Sequence, residues 1–155
     1  MSATKNILVT GGNAGIGLAL CRQLAADHGA KVFMGARNAE RGAAGLKTIL
    51  DAHPTADVEL LLMDCADDAS VSAAAAEMKA KGVSLYALVN NAGVGLGTGD
   101  SGASLLNINF YGPKRVTDAF LPMIDPAVGT PLGIEPATVR LPCAALCALD
   151  RKSVV

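Results

Sequence analysis

The residues best placed to do chemistry are three glycines, Gly11, Gly15 and Gly17, spaced G-x-x-x-G-x-G directly after the run Ile7-Leu8-Val9-Thr10. Glycines at this spacing let a backbone turn tightly, approach a ligand with no Cβ in the way, and pack a helix against a strand. Ile16, Ala19, Leu20 and Leu24 then fall at helical intervals, which predicts an amphipathic helix with these four on its apolar face. The unpaired N–H groups and positive dipole end of such a helix suit a pyrophosphate. An ordinary glycine turn between strand and helix carries a similar pattern, so the next strand decides between the two readings.

That strand runs from Lys31 to Arg37 and ends about 20 residues after the last glycine, where dinucleotide folds place the group that reads the adenine ribose. A carboxylate there would bind the two ribose hydroxyls. This chain has Ala36 and then Arg37. No negative charge repels a 2′-phosphate, and a guanidinium is available to pair with it, so the arrangement favours NADP(H) over NAD. The competing reading is a solvated arginine at a strand end.

These residues need a scaffold, and 155 residues, 51% of them hydrophobic, provide for one domain with its own core. A net charge of −1 without a basic run gives no reason to expect nucleic acid or an anionic membrane as partner. The first ten residues read as a strand rather than a charged-then-apolar leader, and no apolar run approaches bilayer length, so a cytoplasmic protein is expected. Cys143 and Cys147 supply only two ligands, with Cys21, Cys65, His28 and His53 far from them in sequence, and no metal site is expected.

Patterns of strand and helix alternate along the chain. A helix over about 38–53 has Asn38 as its N-cap, Leu46, Ile49 and Leu50 as its buried stripe, and Pro54 as its stop. The third strand, 58–63, is nearly all apolar, which suggests a parallel strand covered on both faces. Asp64 and Cys65 follow at its carboxyl end, where open α/β sheets bind ligands. A helix capped by Asp67 or Asp68 runs to Gly82 with Val71, Ala74, Ala75 and Met78 inward. A fourth strand over 85–89 leads into Asn90-Asn91-Ala92-Gly93. After a glycine-rich loop comes a long helix over about 103–121, with Leu105, Ile108, Val116 and Phe120 inward. The alternation predicts an α/β, Rossmann-type doubly wound parallel sheet in strand order 3-2-1-4.

Taken together and in this order, Thr10 to Gly17, Asp64, Asn90 to Gly93 and Asn107-Ile108-Asn109-Phe110-Tyr111-Gly112 resemble the classical short-chain dehydrogenase/reductase family. More narrowly, the chain is similar to its carbonyl reductase group over about residues 5 to 125, through Gly-Gly-Asn-x-Gly-Ile-Gly-Leu-Ala, the Ala36-Arg37 strand end and the Asn-Phe-Tyr-Gly helix closing on Leu121-Pro122. The resemblance implies an NADP(H)-dependent oxidoreductase that moves hydride between nicotinamide and a small carbonyl or alcohol substrate. It places Gly11, Asn13, Gly15, Ile16 and Gly17 beside the pyrophosphate and ribose, Arg37 at the 2′-phosphate, and Asp64 with Cys65 at the adenine. Asn90, Ala92 and Gly93 would line the cleft beside the fourth strand. Asp64 as a plain loop carboxylate is the alternative. Asn109 matches the family's catalytic asparagine, whose backbone carbonyl holds a water in a proton relay. Pro113, four residues on, has no N–H to give that carbonyl.

Two features depart from the family. Its Ser and its Tyr-x-x-x-Lys pair have no counterpart, since the only tyrosines are Tyr86 and Tyr111, and Asn90 and Arg115 stand four residues after them. After Asp125 the composition changes, and four of the seven prolines, Pro126, Pro131, Pro136 and Pro142, fall in no regular period. The expected organisation is therefore a partial NADP-binding domain over 1–124, the N-terminal half of the fold, with an irregular tail over 125–155 from an incomplete transcript. Such a fragment would leave the fourth strand as an exposed edge and would be inactive alone. A non-catalytic NADP-binding or regulatory module is the other reading.

Overall fold

The structure is a computed structural model and describes residues 4–95 and 101–125. Its strands are β1 (Asn6–Val9), β2 (Lys31–Ala36), β3 (Val58–Leu62) and β4 (Ala87–Val89), all parallel, in the expected order β3-β2-β1-β4. Leu8 faces Phe33 on one side and Leu88 on the other, which fixes the register across the middle of the sheet. Alternate residues of a strand point to opposite faces, and here both faces are covered. Helices α1 (Gly15–Ala26) and α2 (Ala39–Ala52) bury Cys21, Ala25 and Ile49 against Val9, Val32 and Met34. On the other face α3 (Asp68–Ala80) and, later in the chain, α5 (Gly112–Phe120) bury Val71, Met78, Val116 and Phe120 against Leu8, Phe33 and Leu61.

The helix starts follow from their caps. Asn38 accepts the Arg41 N–H at 2.8 Å, and Asp67 accepts the Ala69 N–H at 3.0 Å. Gly82, at φ +65°, turns the chain out of α3 in a conformation costly for other residues. Helix α1 differs from its neighbours, because Ala14 at its N-cap has no capping side chain and its first turn holds no acid.

Three expectations need correction. The helix expected over 103–121 is interrupted: α4 (Gly102–Leu106) passes into a π turn (Asn107–Tyr111), then α5 and a 3₁₀ turn (Leu121–Met123). Pro113 cannot supply the N–H that the Asn109 carbonyl would take in an α-helix, and the Gly112 N–H reaches five residues back to Asn107. β3 is less fully covered than its apolar run suggests: Leu61 and Leu60 pack on opposite faces, but Leu62 at its end is half exposed.

β4 is shorter than expected, and its edge is not wholly open. Leu85 donates its N–H to the Met123 carbonyl at 2.8 Å and accepts the Asp125 N–H at 3.1 Å, forming a parallel bridge with Ile124. The chain thus returns beside β4 after α5. Apart from Asp125, the expected 125–155 tail lies outside the described residues. Among those residues, no helix is long and apolar enough to cross a membrane.

Candidate functional site

The carboxyl ends of all four strands open on one side, and the glycine turn after β1 forms the floor there. Gly11 adopts φ +65°, a left-handed conformation that glycine takes without strain. The Gly12 N–H bonds to the Gly35 carbonyl at 2.9 Å, and a Cβ on Gly12 would run into Met34 and Cys21. A Cβ on Gly17 would overlap the Gly11 carbonyl and the Asn91 side-chain amide. The turn can therefore close only with these glycines.

A second set of bonds ties this turn to the loop after β4. Thr10 Oγ1 accepts the N–H groups of both Asn91 and Ala92 at 2.9 Å. Asn91 Nδ2 donates to the carbonyls of Thr10 and Gly11 at 2.9 and 3.2 Å. Gly45 of α2 packs directly on the Asn13 backbone, closing the other side.

Between these walls lies a cleft of about 350 Å³. Nine of the residues singled out in the sequence line it: Gly11, Asn13, Ile16, Gly17, Arg37, Asp64, Cys65, Ala92 and Gly93. Ile16 is 63% exposed, because the first turn of α1 faces the cleft and not the sheet; Gly17, Cys21 and Ala25 take the inward positions instead. Three other candidates stand apart. Gly15 turns the chain at φ +54° with open space about it, and is not part of the lining. Asn90 is buried and donates to Thr117 Oγ1 at 3.0 Å, joining β4 to α5. Asn109 accepts the Val94 N–H at 2.9 Å and donates to the Val94 carbonyl at 2.8 Å, while its neighbour Ile108 reaches the cleft.

The lining also holds residues that the sequence does not mark as site residues, Ala14, Asn38, Arg41, Met63, Asn91, Val94 and Ile108; of these Asn38 is expected only as a helix cap and Ile108 only as an inward helix residue. Arg41 is the most consequential. Asn38 caps α2, and the residues on either side of it, Arg37 and Arg41, both line the cleft. Among the described residues neither has an ion-pair partner. The signal was present as two arginines four residues apart across a capping asparagine.

Among the described residues, Asp64 is the one carboxylate in the lining. Its Oδ1 accepts the Ala66 N–H at 2.9 Å, so it does brace its own loop, and its N–H is held by Ser70 Oγ at 2.9 Å. Oδ2 has no hydrogen-bond partner among the described residues and is available to a donor in the cleft. Burial, with the Asp64 charge beside it, pushes the Cys65 thiol up to about 11. It is protonated at neutral pH and serves as a small apolar wall rather than a nucleophile.

Two arginines, an uncapped helix N-terminus and glycines that clear the backbone suit an elongated ligand with several negative charges. Oδ2 of Asp64, without a hydrogen-bond partner among the described residues, adds a place for an amino group. A nicotinamide dinucleotide with a 2′-phosphate has this chemistry, and the residues present fit it.

A model of the short chain dehydrogenase family matches residues 5–131. Over 92 residues the chain is 51% identical to the short-chain dehydrogenase/reductase drtF of Aspergillus calidoustus, covering 59% of this chain and 29% of that protein. It is 34% identical over 143 residues to (+)-neomenthol dehydrogenase of Arabidopsis thaliana, covering 76% and 48% respectively. Among solved structures it is similar to the NADPH-bound carbonyl reductase from chicken fatty liver, with a TM-score of 0.63 at 31% identity over 77% of this chain and 48% of that one. The chain spans about half the length of these relatives or less.

Proposed function

Because the chain belongs to the short-chain dehydrogenase family, we propose that its cleft holds the adenine, 2′-phosphate and pyrophosphate portion of NADP(H). The protein is then the cofactor-binding part of an oxidoreductase acting between a small carbonyl compound and its alcohol. The observation that carries this reading is the pair of arginines, Arg37 and Arg41, that line the cleft shaped by Gly11 and Gly17 and have no ion-pair partner among the described residues.

Each part of the lining has a task under this reading. The first-turn N–H groups of α1, left without a side-chain cap, bind the pyrophosphate. Arg37 and Arg41 clamp the 2′-phosphate from two directions. Asp64 Oδ2 accepts from the adenine amino group, and Met63, Cys65 and Ile108 give apolar surface that excludes water beside it. When bound, the coenzyme supplies hydride chemistry. Pro113 leaves the Asn109 carbonyl without its helical donor, and we assign that oxygen the water of a proton relay. The Asn109 side chain meanwhile fixes Val94 at the end of the cleft nearest β4.

A proton donor for a carbonyl is missing from this set. Tyr86 lies under the Lys5 ammonium at 4.9 Å, and Tyr111 packs edge-on against Phe110; neither lines the cleft. That observation favours a second reading for this chain taken alone, in which it binds coenzyme without turning it over. Calorimetric titration of the chain with NADPH tests the shared premise. One saturable site, weakened by salt, is expected; a folded chain that shows no binding would overturn the proposal.

A further inference from the structure

Arg115 lies outside the cleft lining, yet it is the most heavily bonded side chain near it. Its side chain is 16% exposed, and its guanidinium reaches three acceptors. Nε donates to the Asp68 carboxylate, Nη1 to the Cys65 carbonyl at 2.6 Å, and Nη2 to Asn107 Oδ1 at 3.2 Å. Asn107 Nδ2 then donates to the Ala66 carbonyl at 3.1 Å, closing a ring through Cys65, Ala66, Asn107 and Arg115. Asp68 is 85% exposed, so its ion pair contributes little; the part-buried bonds to Cys65 and Asn107 carry the ring.

We propose that Arg115 is a positioning residue for the adenine-side wall of the cleft, a reading that rests on the cofactor assignment above. Asp64 and Cys65, the cleft residues assigned above to the adenine, belong to the loop that this ring holds. The opposite wall is held from the same π turn, because Asn109 grips Val94 as Asn107 grips Ala66. Ile108, between the two asparagines, lines the cleft. Residues two apart in a helical turn point to roughly opposite sides, which is why the two asparagines of this motif reach different walls. Gly112 lets α5 approach the Cys65 carbonyl, where a Cβ would stand 3.2 Å away. The guanidinium meets these three acceptors through three different nitrogens, Nε, Nη1 and Nη2, a wider spread of donors than the single ammonium nitrogen of a lysine offers.

The test uses adenosine 2′,5′-bisphosphate, which carries the adenine and a 2′-phosphate but no nicotinamide. Its Kd is measured by calorimetry on the full chain and on Arg115→Met, Asn107→Ala and the double variant. Each single change should weaken binding roughly 5- to 20-fold. The double variant should be no weaker than the worse single one, because a ring opened once is already open. The NADP-to-NAD preference should not move, since Arg37 and Arg41 are untouched. Arg115→Lys repeats the comparison should the methionine variant not fold, and it too should bind weakly. A lowered melting temperature or fewer competent sites with an unchanged Kd would mean a merely structural role and would overturn the inference, as would additive losses. An unaltered parent that fails to bind the bisphosphate would instead overturn the cofactor assignment beneath it.

Discussion

Gly17 and Asn91 meet where the turn after β1 touches the loop after β4, and the Asn91 amide fills the space that a Cβ on residue 17 would need. The same amide donates to the Thr10 and Gly11 carbonyls. One contact therefore joins the helix start, the glycine turn and the β4 loop, three parts of the cleft that are distant in sequence.

Gly17→Ala should push this junction apart. The added methyl meets backbone and a bonded amide rather than a flexible side-chain end, so a cost of about 1–3 kcal/mol is expected. Denaturant unfolding checks it through a lower midpoint with an unchanged slope. Gly15→Ala meets no neighbour, and its penalty comes only from the left-handed backbone.

The frame of the protein was legible because local chemistry and global fold agree. Asn38, Asp67 and Gly82 cap or end helices where their side-chain and backbone preferences put them, and the β2 strand delivers Arg37 to the cleft rim. Ile16 was misplaced because helical periodicity does not say that a first turn faces a ligand cleft. Asn91, Gly45 and Asn107 act through partners on other elements, as far as 81 residues away in the chain, and no local pattern marks such contacts. The π turn had one visible cause, Pro113 four residues after Asn109. The half exposure of Leu62 at the end of β3 is not marked by the apolar run that carries it.

At the opposite end of the sheet, the ammonium of Lys81, with Lys31 behind it, holds Glu59 below its ordinary carboxyl value of 4.5 against the opposing effect of burial. A carboxyl depressed in the folded state stabilises it above the unfolded-state pKa, and that contribution is lost as the pH falls through the folded value. Glu59→Gln should therefore melt below the parent at pH 7. The gap should begin to close as the pH drops through about 4.5 and vanish further down. High salt should narrow it at pH 7, since all three groups are partly exposed.

The chain should bind coenzyme without consuming it. With no tyrosine in the cleft, Asn109 alone has no acid to give a carbonyl, so NADPH oxidation with a reactive dione should stay at the rate without protein. Turnover above that rate, lost in Asn109→Ala, would show that the chain contains a proton donor other than those assigned.

The most direct test of the account is the choice between NADP and NAD. Charge-assisted bonds from Arg37 and Arg41 to a 2′-phosphate predict a preference of roughly 10- to 100-fold for NADP. Calorimetry on the parent and on Arg37→Ala/Arg41→Ala, each at low and high salt, measures it. The preference should shrink with salt in the parent and disappear in the double variant, with NAD affinity little changed. Equal affinities for the two coenzymes in the parent, or a preference that salt does not alter, would contradict the account.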